Sequence, residues 1–173
     1  SAMKHAIGPR REMVTRTIFN LLGPLTNPAG AKRQVLGVYA RQWLRPMAEV
    51  LKMLGSTHVL VVHSADGLDE ISIAAETYVA ELKHGEITEY VVQPEDFNVK
   101  RQSIDSLIVD GSASSLVLVD AALKGKHEAA TDIVALNAGA AIYLAGLCGS
   151  LAAGVEMAQD AIGGGLAAEK MKD

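Results

Sequence analysis

Apolar and polar positions along this chain repeat with two different periods, and each change of period marks an element. From Arg10 to Leu22, the apolar Met13, Ile18, Leu21 and Leu22 fall among charged residues, with Phe19 beside them. That spacing predicts a helix, stopped by Gly23-Pro24. Thr26 to Gly30 has a loop's composition. Gln34 to Tyr39 is a short apolar run and predicts a strand. Pro46 to Leu54 predicts a helix closed by Gly55, and His58 to His63 is a β-branched run that predicts a buried strand. Strand, helix and strand in that order imply a right-handed crossover and a parallel pair.

Asp66-Gly67 predicts a turn and Ile71 to Ile73 a further strand. Thr77 to Leu82 and Ile87 to Val92 flank His84-Gly85 and predict a hairpin. Pro94 to Phe97 is a loop or a short helical turn. The chain then turns helical. Ser112 or Ser114 is placed to cap a helix running to Leu123, with Gly125 past its end. Ala129 to Leu147 is an Ala-rich helix suited to burial on several faces. Leu151 to Met171 predicts another, which Gly163-Gly164-Gly165 should break, at roughly 1 kcal/mol per glycine. The pattern is that of an α/β fold with a mixed sheet, helical at both ends.

Composition narrows the class. The chain has 173 residues, 49% of them hydrophobic, enough for one core. With 21% charged residues, disorder is excluded as the general state. Aromatics are only 4%, so the core must rest on aliphatic side chains and Met. The single cysteine, Cys148, excludes an internal disulfide. It reads as a small buried hydrophobe in a reduced, cytoplasmic setting. No signal peptide and no run of membrane-span length is legible. Net charge is −4 but uneven: eight Lys/Arg stand against one acid up to Arg45, and eight against nineteen beyond it. That imbalance points either to an anionic partner near the basic end or to a solvated positive face.

The sharpest candidate chemistry is the segment DGLDEIS, Asp66 to Ser72, directly after the strand predicted at His58 to His63. In open α/β sheets, ligands gather beyond the carboxyl ends of strands. Magnesium takes oxygen ligands, keeps waters and bridges to substrate phosphates, which suits the adjacent Asp69 and Glu70. Asp66 has an alternative role in the turn alone. Arg10 and Arg11 stand at a predicted helix start, where a guanidinium can hold a carboxylate through two parallel hydrogen bonds. Gly23 to Pro28 carries two prolines and a glycine in a rigid loop, either a pocket wall or a structural corner. The five histidines fit no metal spacing and read as structural or surface residues. There is no Gly-rich phosphate loop, zinc pattern or nucleophile elbow, and no residue is assigned as catalytic.

The runs Met3 to His5, Gly8 to Glu12 and above all Arg16 to Pro28 (RTIFNLLGPLTNP) resemble the anthranilate phosphoribosyltransferases. DGLDEIS stands at the family's distance after them, and Leu136 to Gly146 (LNAGAAIYLAG) resembles the family's late Ala-rich helix. The resemblance runs from Met3 to the end. It implies the catalytic-domain type shared by nucleoside phosphorylases and phosphoribosyltransferases, a mixed but mostly parallel sheet flanked by helices and truncated at the N-terminus. Residues 1–30 then correspond to a helix and loop that pack with a missing helical domain, and residues 31–173 to the α/β domain. It also implies that Arg10 holds the anthranilate carboxylate, that Pro24 packs on the aromatic ring, and that Asp69 and Glu70 bind Mg2+ on phosphoribosyl pyrophosphate. The implied reaction, a step of tryptophan biosynthesis, transfers the phosphoribosyl group to anthranilate in a cytoplasmic homodimer. The family's glycine-rich donor loop is absent, and Ser1-Ala2 replaces part of its HPAM phrase. The resemblance therefore implies a fragment that carries half a site, is inactive alone, and is prone to self-association through the exposed face of its first helix. It further suggests a last helix that continues through the three glycines.

Three rival readings remain, one of them a purely structural domain, which composition leaves open. A pyrimidine nucleoside phosphorylase would need a different base-binding pattern at Arg16 to Pro28. A non-catalytic, nucleic-acid-binding relative is allowed by the basic N-terminal segment. It has no use for the Asp69–Glu70 pair.

Overall fold

Two aliphatic runs with a helix between them form the first half of the sheet. Strand β1 (Arg33–Gly37) and strand β2 (His58–Ser64) pair in parallel, with Arg33 opposite His58 and Gly37 opposite Val62. The structure, a computed structural model, describes Gly23, Leu25, Thr26 and residues 29–172. The helix predicted from Arg10 to Leu22, with Arg10, and Pro24 lie outside the described residues. The chain divides into two units, Ser1–Ala31 and Lys32–Asp173, and the elements below belong to the second.

β1 leads through a 3-10 turn at Arg41–Trp43 into helix α1 (Leu44–Met53). Leu44, Met47, Ala48 and Leu51 are its buried residues. Their i, i+3, i+4, i+7 spacing makes one apolar stripe, which packs on the sheet at β2 and β3. In β2, Val59 to Val62 are all 0% exposed. A continuous aliphatic run of this kind belongs to a strand covered on both faces.

Strand β3 (Thr77–Lys83) pairs antiparallel to β2, and β4 (Glu86–Val92) antiparallel to β3, giving the order β1-β2-β3-β4. The expected mixed sheet is found, but among the described residues it is not mostly parallel: two of its three pairings are antiparallel. The reason lies in the connections. Only the link from β1 to β2 carries a crossover helix; the link from β2 to β3 has none, and β3 and β4 are joined by His84 and Gly85. Both residues have positive φ (52° and 81°), the geometry of a two-residue hairpin turn.

The second half of the chain is helical: α2 (Ser112–Leu123), α3 (Glu128–Ala145), α4 (Leu151–Gly163) and α5 (Leu166–Lys170). Helix α3 packs on β1 and β2 and also against α4, so its alanines are buried on more than one face, as its composition suggests. Leu60 and Val62 of β2 meet Leu136, Ala140 and Leu144 of α3 in the main core, with Ile71, Ile73, Phe97 and Val155. Cys148 is only half-buried against this core, and its thiol donates to Ser150 O at 3.3 Å. Among the described residues no helix is long and apolar enough to cross a membrane.

Two local expectations, and one that the resemblance implies, are corrected. Ile71 to Ile73 is not a strand. Both isoleucines are buried, but the backbone of Ile71 and Ser72 bonds to side chains instead of a ladder, so apolarity there signals burial rather than pairing. Neither Ser112 nor Ser114 caps α2. Gly111 holds the cap position, and Ser114 Oγ donates to its carbonyl. The last helix does not run on through the glycines. It stops at Gly163, and Gly165 at φ +79° starts a separate short helix, as the local cost of three glycines indicates.

Of the described histidines, His58, His63 and His127 make structural hydrogen bonds, and His84 is an exposed turn residue. His127 is the N-cap of α3, its Nδ1 accepting from the Ala130 N–H at 3.2 Å. His127→Ala is expected to lower stability by about 1 kcal/mol in urea unfolding at neutral pH, the usual cost of a lost N-cap.

Candidate metal and phosphate site

Residues 65–76 connect the carboxyl end of β2 to β3, and side-chain hydrogen bonds fix much of their backbone. Asp66 Oδ1 accepts from the Leu68 N–H at 3.1 Å, and Asp66 Oδ2 accepts from Ser72 Oγ. The Ser64 N–H donates to Leu68 O, and the Ala65 N–H donates to Glu76 O. Burial pushes the Asp66 carboxyl up, but hydrogen bonds from Ser72 and Leu68 outweigh it and hold the group below the usual aspartate range. Both oxygens of Asp66 are thus occupied inside the loop. Of the two roles open to this residue, the structure assigns the turn.

Asp69 and Glu70 are different. Both are exposed, and neither carboxylate has a hydrogen bond or ion pair among the described residues. Their backbone is held at two points. On the N-terminal side, Asp69 lies across the end of β1, so close that a Cβ added to Gly37 would stand 1.7 Å from Asp69 O. On the C-terminal side, the Asn137 side chain of α3 grips Ile71. Its Oδ1 accepts from the Ile71 N–H at 3.0 Å, and its Nδ2 donates to Ile71 O at 2.9 Å. The acidic pair therefore sits at the carboxyl end of the parallel strands, where open α/β sheets bind ligands.

No cluster of three or more His, Cys, Asp or Glu suited to a metal occurs among the described residues. Two neighbouring carboxylates without a third protein ligand make a poor cage for a tightly held structural ion. They fit magnesium, which binds through one or two carboxylates and takes its other ligands from waters and substrate phosphates. The sequence brings Asp69 and Glu70 together here. Arg10 and Pro24, outside the described residues, have no described place beside them.

Two groups of polar residues escape the sequence reading. One is Asn137. Its signal was legible, as the one amide in an Ala-rich helix and a poor helix former in such an interior. The other is a buried cluster around Glu81 of β3, which is 8% exposed. Its carboxylate accepts from Tyr143 Oη at 2.7 Å, His58 Nε2 at 2.8 Å and Tyr90 Oη at 2.9 Å. Lys83 Nζ donates to Tyr143 Oη at 2.8 Å. This cluster lies at the start of β2, the end of the sheet away from the acidic loop.

Comparison with known proteins gives the chain a family. The chain is 65% identical to the anthranilate phosphoribosyltransferase of Marinomonas sp. (strain MWYL1), covering 100% of this chain and 51% of that protein. It is 61% identical to that of Cellvibrio japonicus (strain Ueda107), covering 100% and 52%. The chain spans about half the length of the curated relatives it matches. Among solved structures, the anthranilate phosphoribosyltransferase of Thermus thermophilus superposes with a TM-score of 0.86 at 42% identity, over 98% of this chain and 51% of that one. The Saccharomyces cerevisiae enzyme in complex with PRPP and Mg shares the fold, with a TM-score of 0.84 at 22% identity over 98% and 49%. The model of the glycosyl transferase family, a/b domain, matches residues 1–168, and the chain belongs to that family.

Proposed function

We propose that this chain is the α/β part of an anthranilate phosphoribosyltransferase and supplies the metal–pyrophosphate side of its site. The observation that carries the reading is the exposed Asp69–Glu70 pair, without a third protein ligand among the described residues, on a loop held at the carboxyl end of β1 and β2. The names of the relatives at 57% to 65% identity support the same assignment.

In this reading Asp69 and Glu70 hold Mg2+ against the pyrophosphate of phosphoribosyl pyrophosphate. The bound ion neutralises charge on the departing pyrophosphate. The anthranilate amine forms the new C–N bond at the anomeric carbon, the C–O bond to pyrophosphate breaks with its electron pair leaving on oxygen, and the nitrogen releases one proton to water. Arg10 orients the acceptor by its carboxylate, and Pro24 packs on its ring. The protein's contribution is positioning and electrostatics, with no covalent nucleophile. The complete enzyme acts in tryptophan biosynthesis as a cytoplasmic homodimer, its donor loop lying in the part of the relatives that this chain does not span. The purified 173-residue chain is expected to show no transferase activity in an assay with anthranilate and phosphoribosyl pyrophosphate, and measurable turnover would overturn that expectation.

Mn2+ titrated with pyrophosphate onto the chain, followed by loss of the free-ion EPR signal, tests the site. The double substitution Asp69→Asn/Glu70→Gln is expected to weaken binding at least about tenfold, or 1.4 kcal/mol. Equal binding by both proteins would remove the basis of this reading. Arg10→Ala, made in a chain of the relatives' length, is expected to raise the KM for anthranilate while leaving that for the donor unchanged.

A further inference from the structure

We propose that Asn137 is a positioning residue for the Asp69–Glu70 pair, setting the direction of both carboxylates from a helix 66 residues further along the chain. The inference rests on the reading that this pair takes a metal–pyrophosphate ligand.

The geometry is that of a two-point mount. Between the close contact at Gly37 and the grip on Ile71 there is only one complete residue, Glu70. Neither Asp69 nor Glu70 lies in a helix or strand, so no ladder fixes their dihedral angles. What fixes them is the pair of anchors. The Gly37 anchor is a contact and resists movement in one direction only. The Asn137 anchor is directional: the amide meets both the N–H and the C=O of Ile71, which sets the orientation of that residue as well as its place. The amide itself is held by a third bond, Nδ2 to Ile133 O at 3.0 Å, one turn back in α3. Ile71 is 2% exposed within the main core, so rotating it to re-aim Glu70 would also unpack an apolar side chain. Groups that orient a metal's ligands commonly act in this way, through hydrogen bonds behind the ligand rather than through contact with the ion.

A merely structural Asn137 would satisfy two backbone groups of Ile71 and do no more. The two roles separate in measurement. Mn2+ with pyrophosphate is titrated onto the wild-type chain and onto the Asn137→Ala, Asn137→Asp and Asp69→Asn/Glu70→Gln variants, well below each melting temperature. Amide exchange at Ile71 is followed in parallel. Positioning predicts that Asn137→Ala binds Mn2+ roughly tenfold more weakly, with exchange quickened at Ile71. Asn137→Asp is the second variant should the first not fold. It keeps size and the acceptor for the Ile71 N–H but loses the donations to Ile71 O and Ile133 O. It also adds a negative charge near the site, which by electrostatics alone would tighten cation binding. Binding by Asn137→Asp that is weaker than wild type therefore supports positioning, and binding tighter than wild type overturns it. Unchanged affinity in Asn137→Ala with Ile71 unprotected also overturns it. If the acidic double variant loses binding while the Asn137 variants keep it, only this inference fails. If wild type and double variant bind alike, the underlying reading fails and takes the inference with it.

Discussion

Gly37→Ala is expected to destabilise the protein by at least about 3 kcal/mol, the upper part of the range for overpacking a filled site. The added Cβ would lie 1.7 Å from Asp69 O, 2.7 Å from Asp69 C and 2.9 Å from Asp69 Cβ. Most of the obstacle is backbone, so no rotamer change relieves it. Either the end of β1 or the acidic loop must move. β1 is tied by its pairing, Gly37 opposite Val62, and the loop by Asn137 and the Asp66 hydrogen bonds. Urea unfolding at neutral pH should show a lower midpoint with an unchanged slope. Where the loop yields instead of the strand, part of the cost appears as weaker binding of Mn2+ with pyrophosphate. A loss below about 1 kcal/mol with metal binding intact would contradict the close approach of Asp69 to the strand end.

Glu81→Ala carries the second large effect, about 3–5 kcal/mol, the usual consequence of removing one side of a buried polar pair. Three donors, from His58, Tyr90 and Tyr143, converge on this carboxylate, and its loss leaves all three without their acceptor in a site that is 8% exposed. Glu81→Gln keeps the shape but turns an N–H2 toward at least one donor, so it should cost less than Ala yet more than about 1 kcal/mol. The same cluster sets a pH dependence. Burial pushes the Glu81 carboxyl up, but hydrogen bonds from Tyr143, His58 and Tyr90 outweigh burial and hold it below the ordinary glutamate range. The folded protein therefore binds this proton less readily than the unfolded chain. The resulting stability is fully present at neutral pH and is lost as pH falls through the lowered value. Burial holds Tyr90 far above the usual tyrosine range, and Tyr143 is raised as well, so both hydroxyls remain donors at neutral pH. Unfolding free energies from pH 7 to about pH 3 should show a smaller acid loss in Glu81→Gln than in wild type. Parallel curves would mean that Glu81 does not carry the titration.

Legibility followed the range of the forces involved. The parallel pair, its crossover helix, the hairpin at His84-Gly85 and the break at Gly165 could all be read, because each is set by residues close in sequence. Asp69 and Glu70 were readable as a candidate site from their place after an apolar run. What could not be read is which residues reach them. Ile71 to Ile73 looks like a strand until Asn137, far along the chain, takes over its backbone. Nothing local in the strand marks Glu81, because its partners His58, Tyr90 and Tyr143 come from three other elements. The antiparallel share of the sheet was legible in the hairpin, yet the resemblance pointed to a mostly parallel one.

The grip of Asn137 on Ile71 also has a consequence in time. A ribosome that has just made Ile71 must add 66 more residues before the helical amide exists, roughly 3–13 s at ordinary elongation rates. Until then the acidic loop has only its own Asp66 hydrogen bonds and the contact at Gly37, without the amide that fixes Ile71. Pulse-labelled chains arrested before residue 137 should therefore carry a proteolytically sensitive loop at residues 65–76, which becomes resistant when α3 emerges.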